Sequence, residues 1–385
     1  MAPAEHSVMV AEALGNKPGS GGAAWVPLSW VRGFRQLGVD AWFVEELRRP
    51  SSPRSNPSGD PRCDDQVKYF RDVVDRFGLS DRAALLADGE VVVGPPLEEL
   101  REVAASSVLV NIGGHLTDER LWGRFRTRVM VDLDPGFCQF WHAAGNQGDR
   151  VGAHDLHFTV GENVGSPGCP IPTSGIRWEK VRQPVLLDDW PLLPVGNIER
   201  FTTVANWRGP FGPVEFGGVT YGLKAHQFRK FIELPRRSGH SYEIALTIHP
   251  ADELDRKTMV DHEWRLTDPR VVDTPEAFRA YVQSSAAEFS VAQGVYVDTQ
   301  SGWFSDRSVR YLASGRPVLV QDTGFSRNLP VGEGIVAFRT TEEAVAGADR
   351  IVGDYASHAA AARALAETYF SAERVLARFC EQIGI

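Results

Sequence analysis

The stretch of chain richest in chemistry runs from 295 to 322, VYVDTQSGWFSDRSVRYLASGRPVLVQD. Ser305 has the side chain of a helix N-cap. Val309, Leu312 and Ala313 recur at the spacing of a buried helical face, and Gly315 stands where a left-handed C-cap belongs. With residues 295–297 and 317–321 as strands, the segment reads as strand, turn, helix, strand. Such a helix starts beside the carboxyl edge of a sheet. The N–H groups of Asp306, Arg307 and Ser308 and the positive end of the helix dipole then face a crevice, which is a site for an anion. Arg307 adds a charge-assisted hydrogen bond worth roughly 1.5–3 kcal/mol, and Ser305 and Ser308 add hydroxyl donors. A diphosphate fits this donor set. Trp303, after Gly302 in the same turn, either stacks on a base or sugar face or plugs the sheet edge. The alternative for the whole unit is a well-capped structural helix whose Arg307 makes an ordinary ion pair.

Other residues are placed by the ends of strands. In NIGGH, His115 follows the apolar run 108–110, and its two glycines allow close approach of backbone and ligand, so it is the candidate general base. The loop 15–22 follows the first strand and offers Gly21 and Gly22 to the same crevice. Arg208 after strand 201–205 and His249 after strand 242–248 take equivalent loop positions in the second half, where a solvated Arg or His is the plainer reading. Asp132 and Asp134 form a D-x-D, which Pro135 and Gly136 explain as an aspartate turn as readily as a metal site. His154, His157 and Cys169 lack a fourth metal ligand. Glu162 and Asn163 lie in a strand-end loop with no assigned role.

These candidates need a scaffold. Strand 7–10, the Gly/Pro loop, a helix carrying Trp25, Leu28, Val31, Phe34 and Leu37, and strand 39–44 make a right-handed parallel crossover. Residues 48–62, with four prolines and four serines, read as a mobile surface loop. Further strands fall at 83–86, 108–111, 129–132 and 156–160. The proline-rich run 183–196 is a linker, giving domains 1–190 and 191–385. Beyond it, strand 201–205, helix 223–232 and strand 242–248 restart the alternation. Thr274 caps a helix with Pro275 at its first position, Thr340 and Glu343 form a capping box, and residues 355–385 are terminal helices, the last reaching back to the first domain. The expected fold is α/β, with two Rossmann-like doubly wound domains facing a central cleft.

The 385 residues, 43% hydrophobic and 24% charged, exclude a disordered chain and a small stapled scaffold. A formal charge of -9 argues against a polyphosphate backbone, so nucleic acid is not an expected partner. The four cysteines form no C-x-x-C pair and read as reduced thiols. There is no basic start with an apolar run of signal type, nor an apolar run of about 18 residues, so integral membrane association is not expected and the cytoplasm is the expected compartment.

From Ser301 on, GWFSDRSVRYLASGRPVLVQDTGF followed by LPVGEGIVAF resembles the nucleotide-binding half of GT-B glycosyltransferases, with Ala313, Gly315, Pro317 and Val318 matching the small-x-Gly-x-Pro-Val element. The resemblance is best over 271–370. It implies a nucleotide-diphosphate sugar, UDP- or TDP-linked, bound in the cleft against the C-terminal domain, and transfer of the sugar to a small-molecule or glycan acceptor without a metal or other cofactor. Retaining members commonly carry an E-x7-E pair on this helix; here those positions are Gly302 and Arg310, leaving Asp298 and Asp306 as nearby acids. Two other functions compete. Gly19, Gly21 and Ala24 fit G-x-G-x-x-A, with Glu45 as a ribose acid, which would mean an NAD-dependent oxidoreductase, although the first glycine lies about eight residues past the strand where the fingerprint needs a tight turn. A non-catalytic sugar-nucleotide-binding protein is the third.

Overall fold

A computed structural model describes residues 6–47, 61–146, 151–209 and 211–385. Strands β1 (Ser7–Ala11), β2 (Asp40–Glu46), β3 (Ala83–Ala87), β4 (Glu90–Val93), β5 (Val108–Ile112), β6 (Thr127–Asp132), β7 (Leu156–Thr159) and β8 (Trp178–Lys180) form the first sheet. Its order is β4-β3-β2-β1-β5-β6-β7-β8, parallel except between β3 and β4. β9 (Arg200–Asn206) opens a second sheet. Past the hairpin of β10 (Val214–Phe216) and β11 (Val219–Tyr221), it continues with β12 (Ser241–Thr247), β13 (Arg265–Thr267), β14 (Ala287–Ser290), β15 (Val318–Gln321) and β16 (Ile335–Phe338). That sheet is all parallel, ordered β13-β12-β9-β14-β15-β16. In both sheets the chain starts centrally, steps outward, then returns to the other side of its first strand. Such a reversal leaves a crevice beyond the carboxyl ends, here between β1 and β5 and between β9 and β14.

Helices cover the apolar faces, as a parallel sheet requires. The first half carries α1 (Gly21–Gln36), α2 (Pro61–Arg76), α3 (Leu97–Ser106), α4 (Glu119–Trp122) and α5 (Phe137–Ala143). The second carries α6 (Lys224–Phe228), α7 (Leu234–Ser238), α8 (Glu253–Asp261), α9 (Pro275–Ser284), α10 (Gly294–Asp298), α11 (Asp306–Ala313), α12 (Thr341–Gly353), α13 (Tyr355–Tyr369) and α14 (Ala372–Ile383). α1 joins the halves. Trp25 Nε1 donates to Pro275 O of α9 at 2.9 Å. The ring of Trp30 meets Phe379 of α14 edge-on at 5.1 Å, and Gly33 leaves room for Leu376, which a Cβ there would approach to 2.5 Å. The final helix therefore packs on the first one.

Local signals decide several boundaries. Thr274 Oγ1 accepts from Ala277 N, and the Thr340/Glu343 box closes as its spacing predicts. Residues 295–297 are not a strand but lie in helix α10. A short apolar run suits either state, and the strand position belongs to β14, whose buried Glu288 and Ser290 hide its apolar pattern. The helix expected over 223–232 is α6 followed by a 3₁₀ turn, Arg229–Phe231. α2 starts at Pro61, inside the stretch read as loop; residues 48–60 of that stretch lie outside the described residues. No helix among the described residues is long and apolar enough to cross a membrane.

Candidate functional site

The two reversal points line one cavity of about 370 Å³, a volume in the range of small-ligand sites. The first half contributes Glu12 after β1, the loop and helix start at 17–23, and Leu133 and Asp134 after β6. The second contributes the end of β9, Lys224 at the start of α6, Gln293, and Trp303, Asp306 and Arg307 around the start of α11.

Arg307 is held from three sides. Its Nε donates to Glu288 Oε1 at 2.6 Å, Nη1 to Val204 O at 2.9 Å and Nη2 to Ser290 Oγ at 2.6 Å. Glu288 is fully buried, so the guanidinium is aimed by a partner that also neutralises much of its charge. Burial opposes the Arg307 charge most strongly, but Glu288, together with Tyr311 and Asp306, leaves the Arg307 pKa raised. Lys224 also lines the cavity, with its backbone N donating to Gln293 Oε1 at 2.7 Å. Gly209 leaves room for that amide, since a Cβ there would fall 2.0 Å from Gln293 Nε2. Burial, with Arg307 nearby, pushes the Lys224 pKa down to about 7.

The acids stand opposite. Asp134 Oδ1 accepts from the Tyr296 hydroxyl at 2.6 Å. Burial lifts the Asp134 pKa to about 6, against the pull of that hydrogen bond, and Asp132 adds to the rise. Asp132 is buried and accepts from Gln139 Nε2 and Thr159 Oγ1, both at 2.7 Å, and from Asp134 N at 3.0 Å. The D-x-D is thus a turn with one acid facing inward and one facing the cavity. Glu12, 3% exposed, pairs with Lys17 at 3.0 Å and lies 3.7 Å from His115 Nε2.

Among the residues singled out from sequence, Gly21, Gly22, Trp303, Asp306 and Arg307 line the cavity. The glycines have a second reason to be small: a Cβ on Gly21 would sit 2.0 Å from Thr274 O, and one on Gly22 2.9 Å from the Phe278 ring. Ser20, the N-cap of α1, makes no side-chain capping bond, so the first-turn N–H groups of α1 are offered to a ligand. The start of α11 is different. Ser305 Oγ accepts from Arg307 N at 3.2 Å, and Ser305 and Ser308 line a smaller cavity of about 10 Å³ with Phe304 and Phe325. The Ser305 and Ser308 hydroxyls, expected as donors to the anion, therefore lie off the main cavity, because α11 turns its serine face toward the sheet. One face of Trp303 is stacked on Tyr296 at 4.5 Å, and its Nε1 donates to Leu133 O at 3.2 Å.

The remaining candidates lie off the cavity lining. Gly302, at φ +79°, packs against Asn163, whose backbone N a Cβ would approach to 2.9 Å. Arg208 is exposed and bidentate on Asp252, and His249 caps its own turn through Ala251 N. His115 stands behind Glu12. Arg310 is 1% exposed and pairs with Asp306, and Asp298 is exposed. His154 and His157 each contact Val151 O, at 3.3 and 2.7 Å. Among the described residues no group of three His, Cys, Asp or Glu is placed to hold a metal. Lys224 and Glu12 are cavity residues that motif reading passed over, and Asp134, read as part of an aspartate turn or a metal site, lines the cavity as well.

Glu45 bears on the dinucleotide reading. Its Oε2 accepts from Gly15 N at 2.6 Å, and its Oε1 from Asn16 N at 2.8 Å and Asn16 Nδ2 at 2.9 Å. The acid meant for a ribose is committed to folding the loop. A larger cavity, about 770 Å³, is lined by Glu46, Asn111, Leu116, Thr117, Asp118 and Trp122 at the carboxyl edge of the first sheet. The loop bearing His115 stands between it and Glu12.

No family model matches the chain, and no curated protein matches its sequence. Solved structures do. The chain is similar to an alpha-glucosyltransferase (AGT) in complex with UDP, at 10% identity and a TM-score of 0.59 over 98% of this chain and 100% of that one. It is similar to Anabaena HepE in complex with UDP and glucose, at 10% identity and a TM-score of 0.59 over 99% and 100%. TarM matches at 8% identity with a TM-score of 0.62 over 99% of both chains. The likeness shows the fold: the chain has the GT-B architecture along nearly its whole length. The expectation of no nucleic-acid partner is overturned by the same comparison, since AGT is also seen with UDP-glucose and DNA containing an abasic site, at a TM-score of 0.60. Net charge sums a whole surface, whereas a polyanion meets one local patch.

Proposed function

We propose that this chain is a glycosyltransferase that binds a nucleoside-diphosphate sugar, UDP- or TDP-linked, in the 370 Å³ cavity and passes the sugar to an acceptor entering along the first sheet. The observation that carries the reading is the convergence of Lys224, Arg307 and the uncapped start of α1 on one cavity. A leaving diphosphate develops negative charge, and donors fixed in advance stabilise it as the bond to the sugar breaks. Arg307 is oriented by Glu288 and Ser290, Lys224 supplies the less compensated charge, and α1 supplies backbone N–H groups. This donor set does the charge work without a metal or other cofactor. Asp134, with a pKa near 6, suits proton transfer from the acceptor. His115 acts one step back, through Glu12. The acceptor, a small molecule or a glycan, enters from the larger cavity beside that loop.

The bound GT-B neighbours support this reading: their structures hold UDP with glucose, or UDP-glucose with DNA. The engagement of Glu45 by Gly15 and Asn16 counts against NAD. The test is calorimetric titration with UDP, TDP and NADH, followed by assay of UDP-glucose hydrolysis without acceptor. Binding of a nucleoside diphosphate with slow donor hydrolysis is expected. Binding of NADH alone would overturn the proposal, and diphosphate binding with no turnover of any donor would leave a sugar-nucleotide-binding protein instead.

A further inference from the structure

A second hollow, about 350 Å³, lies between the end of the first sheet and the C-terminal helices α13 and α14. Lys180, Arg182, Arg374 and Arg378 line it against a single acid, Glu162. Glu162 is already taken by Arg182 Nε at 2.5 Å. Arg182 is further fixed by Asn328 O at 3.2 Å and by the Tyr369 ring 5.1 Å away. Lys180 Nζ donates to Val164 O at 2.5 Å, an acceptor without charge. Arg374 and Arg378, one turn apart on α14, are exposed, and their guanidinium groups make no ion pair among the described residues. In a chain of net charge -9 this hollow concentrates positive charge, and concave walls focus its field.

We propose that this groove binds a phosphate monoester. A monoester carries close to two negative charges and three acceptor oxygens near neutral pH, enough to engage the Arg374 and Arg378 forks together with the Lys180 ammonium. Thr368 and Gln382, also in the lining, add neutral donors. The monoester comes either from a small soluble metabolite or from a lipid headgroup, and the chemistry recognised is the same. The inference does not depend on the reading of the interdomain cavity.

The test uses the full chain and a double variant, Arg374→Ala with Arg378→Ala, both distant in role from the interdomain cavity. Glycerol 3-phosphate is titrated in solution, and flotation is measured with phosphatidylcholine vesicles with and without phosphatidic acid. An unchanged unfolding midpoint in the double variant reports an intact fold. Binding of either phosphate probe by the unmodified chain, weakened at least about tenfold in the double variant, is expected. Binding only in solution assigns a soluble ester, and binding only to phosphatidic acid vesicles assigns a headgroup. Failure of both probes to bind, or equal binding by the double variant, overturns the proposal.

Discussion

The Tyr296 hydroxyl donates to Asp134 Oδ1 at 2.6 Å, tying helix α10 of one half to the loop after β6 of the other. The bond favours the ionised carboxylate, while burial lifts the Asp134 pKa to about 6. Tyr296→Phe removes the donor and moves that pKa higher. A base must be deprotonated to act, so the acidic limb of the pH–rate profile should shift upward in the variant. An unmoved limb would exclude Asp134 as the titrating base.

Lys224, at about 7, is half neutral near physiological pH. A bound diphosphate favours the ammonium and raises that pKa, so UDP binding above pH 7 takes up a proton. Affinity should then fall as pH rises beyond about 7, by up to roughly tenfold per unit until the bound-state pKa is reached. Calorimetry in two buffers of different ionisation enthalpy measures the uptake. Lys224→Met should abolish it, and a persistent uptake in that variant would assign the proton elsewhere.

Arg307→Ala loses a diphosphate donor and leaves Glu288 charged and buried with no partner. Stability should drop by about 3–5 kcal/mol, as for other broken buried pairs. Adding Glu288→Gln should restore most of the stability while UDP affinity stays about tenfold or more below the unmodified chain. Urea unfolding read beside UDP titration separates the effects. Recovery of both in the double variant would mean that Arg307 serves only the fold.

Glu45 has its pKa raised from 4.5 to about 7 by burial, against the pull of the Gly15 and Asn16 N–H groups. The folded state holds this proton more tightly than the unfolded one. The contribution to stability is therefore complete below pH 4.5 and is lost as pH rises through about 7. The loss is on the order of 3 kcal/mol. Glu45→Gln has no such proton to lose, so its stability should fall less steeply over this window in denaturant titrations. Parallel slopes for the two proteins would refute the assignment.

The doubly wound halves were legible because their strands are long apolar runs with punctuation, as at 108–112 and 318–321, and because caps such as Thr274 and Thr340 are local. Arg307 was legible from its place after an N-cap. Its partner was not, since Glu288 reads as a polar interruption until β14 is buried beside α11. Ser305 was legible as the cap of α11, whereas the open start of α1 was not, because spacing does not show that Ser20 makes no side-chain capping bond. Lys224 carried a faint signal. Only six of the 41 basic residues are lysines, and two of them, Lys17 and Lys224, line the cavity.

The packing of α14 on α1 sets an order of events during synthesis. Trp30, Gly33 and Phe34 belong to the first half, yet the Leu376 and Phe379 that seal them are translated more than three hundred residues later. Until those residues emerge, the nascent amino-terminal half presents a greasy strip to the cell, and chaperones have a place to hold it.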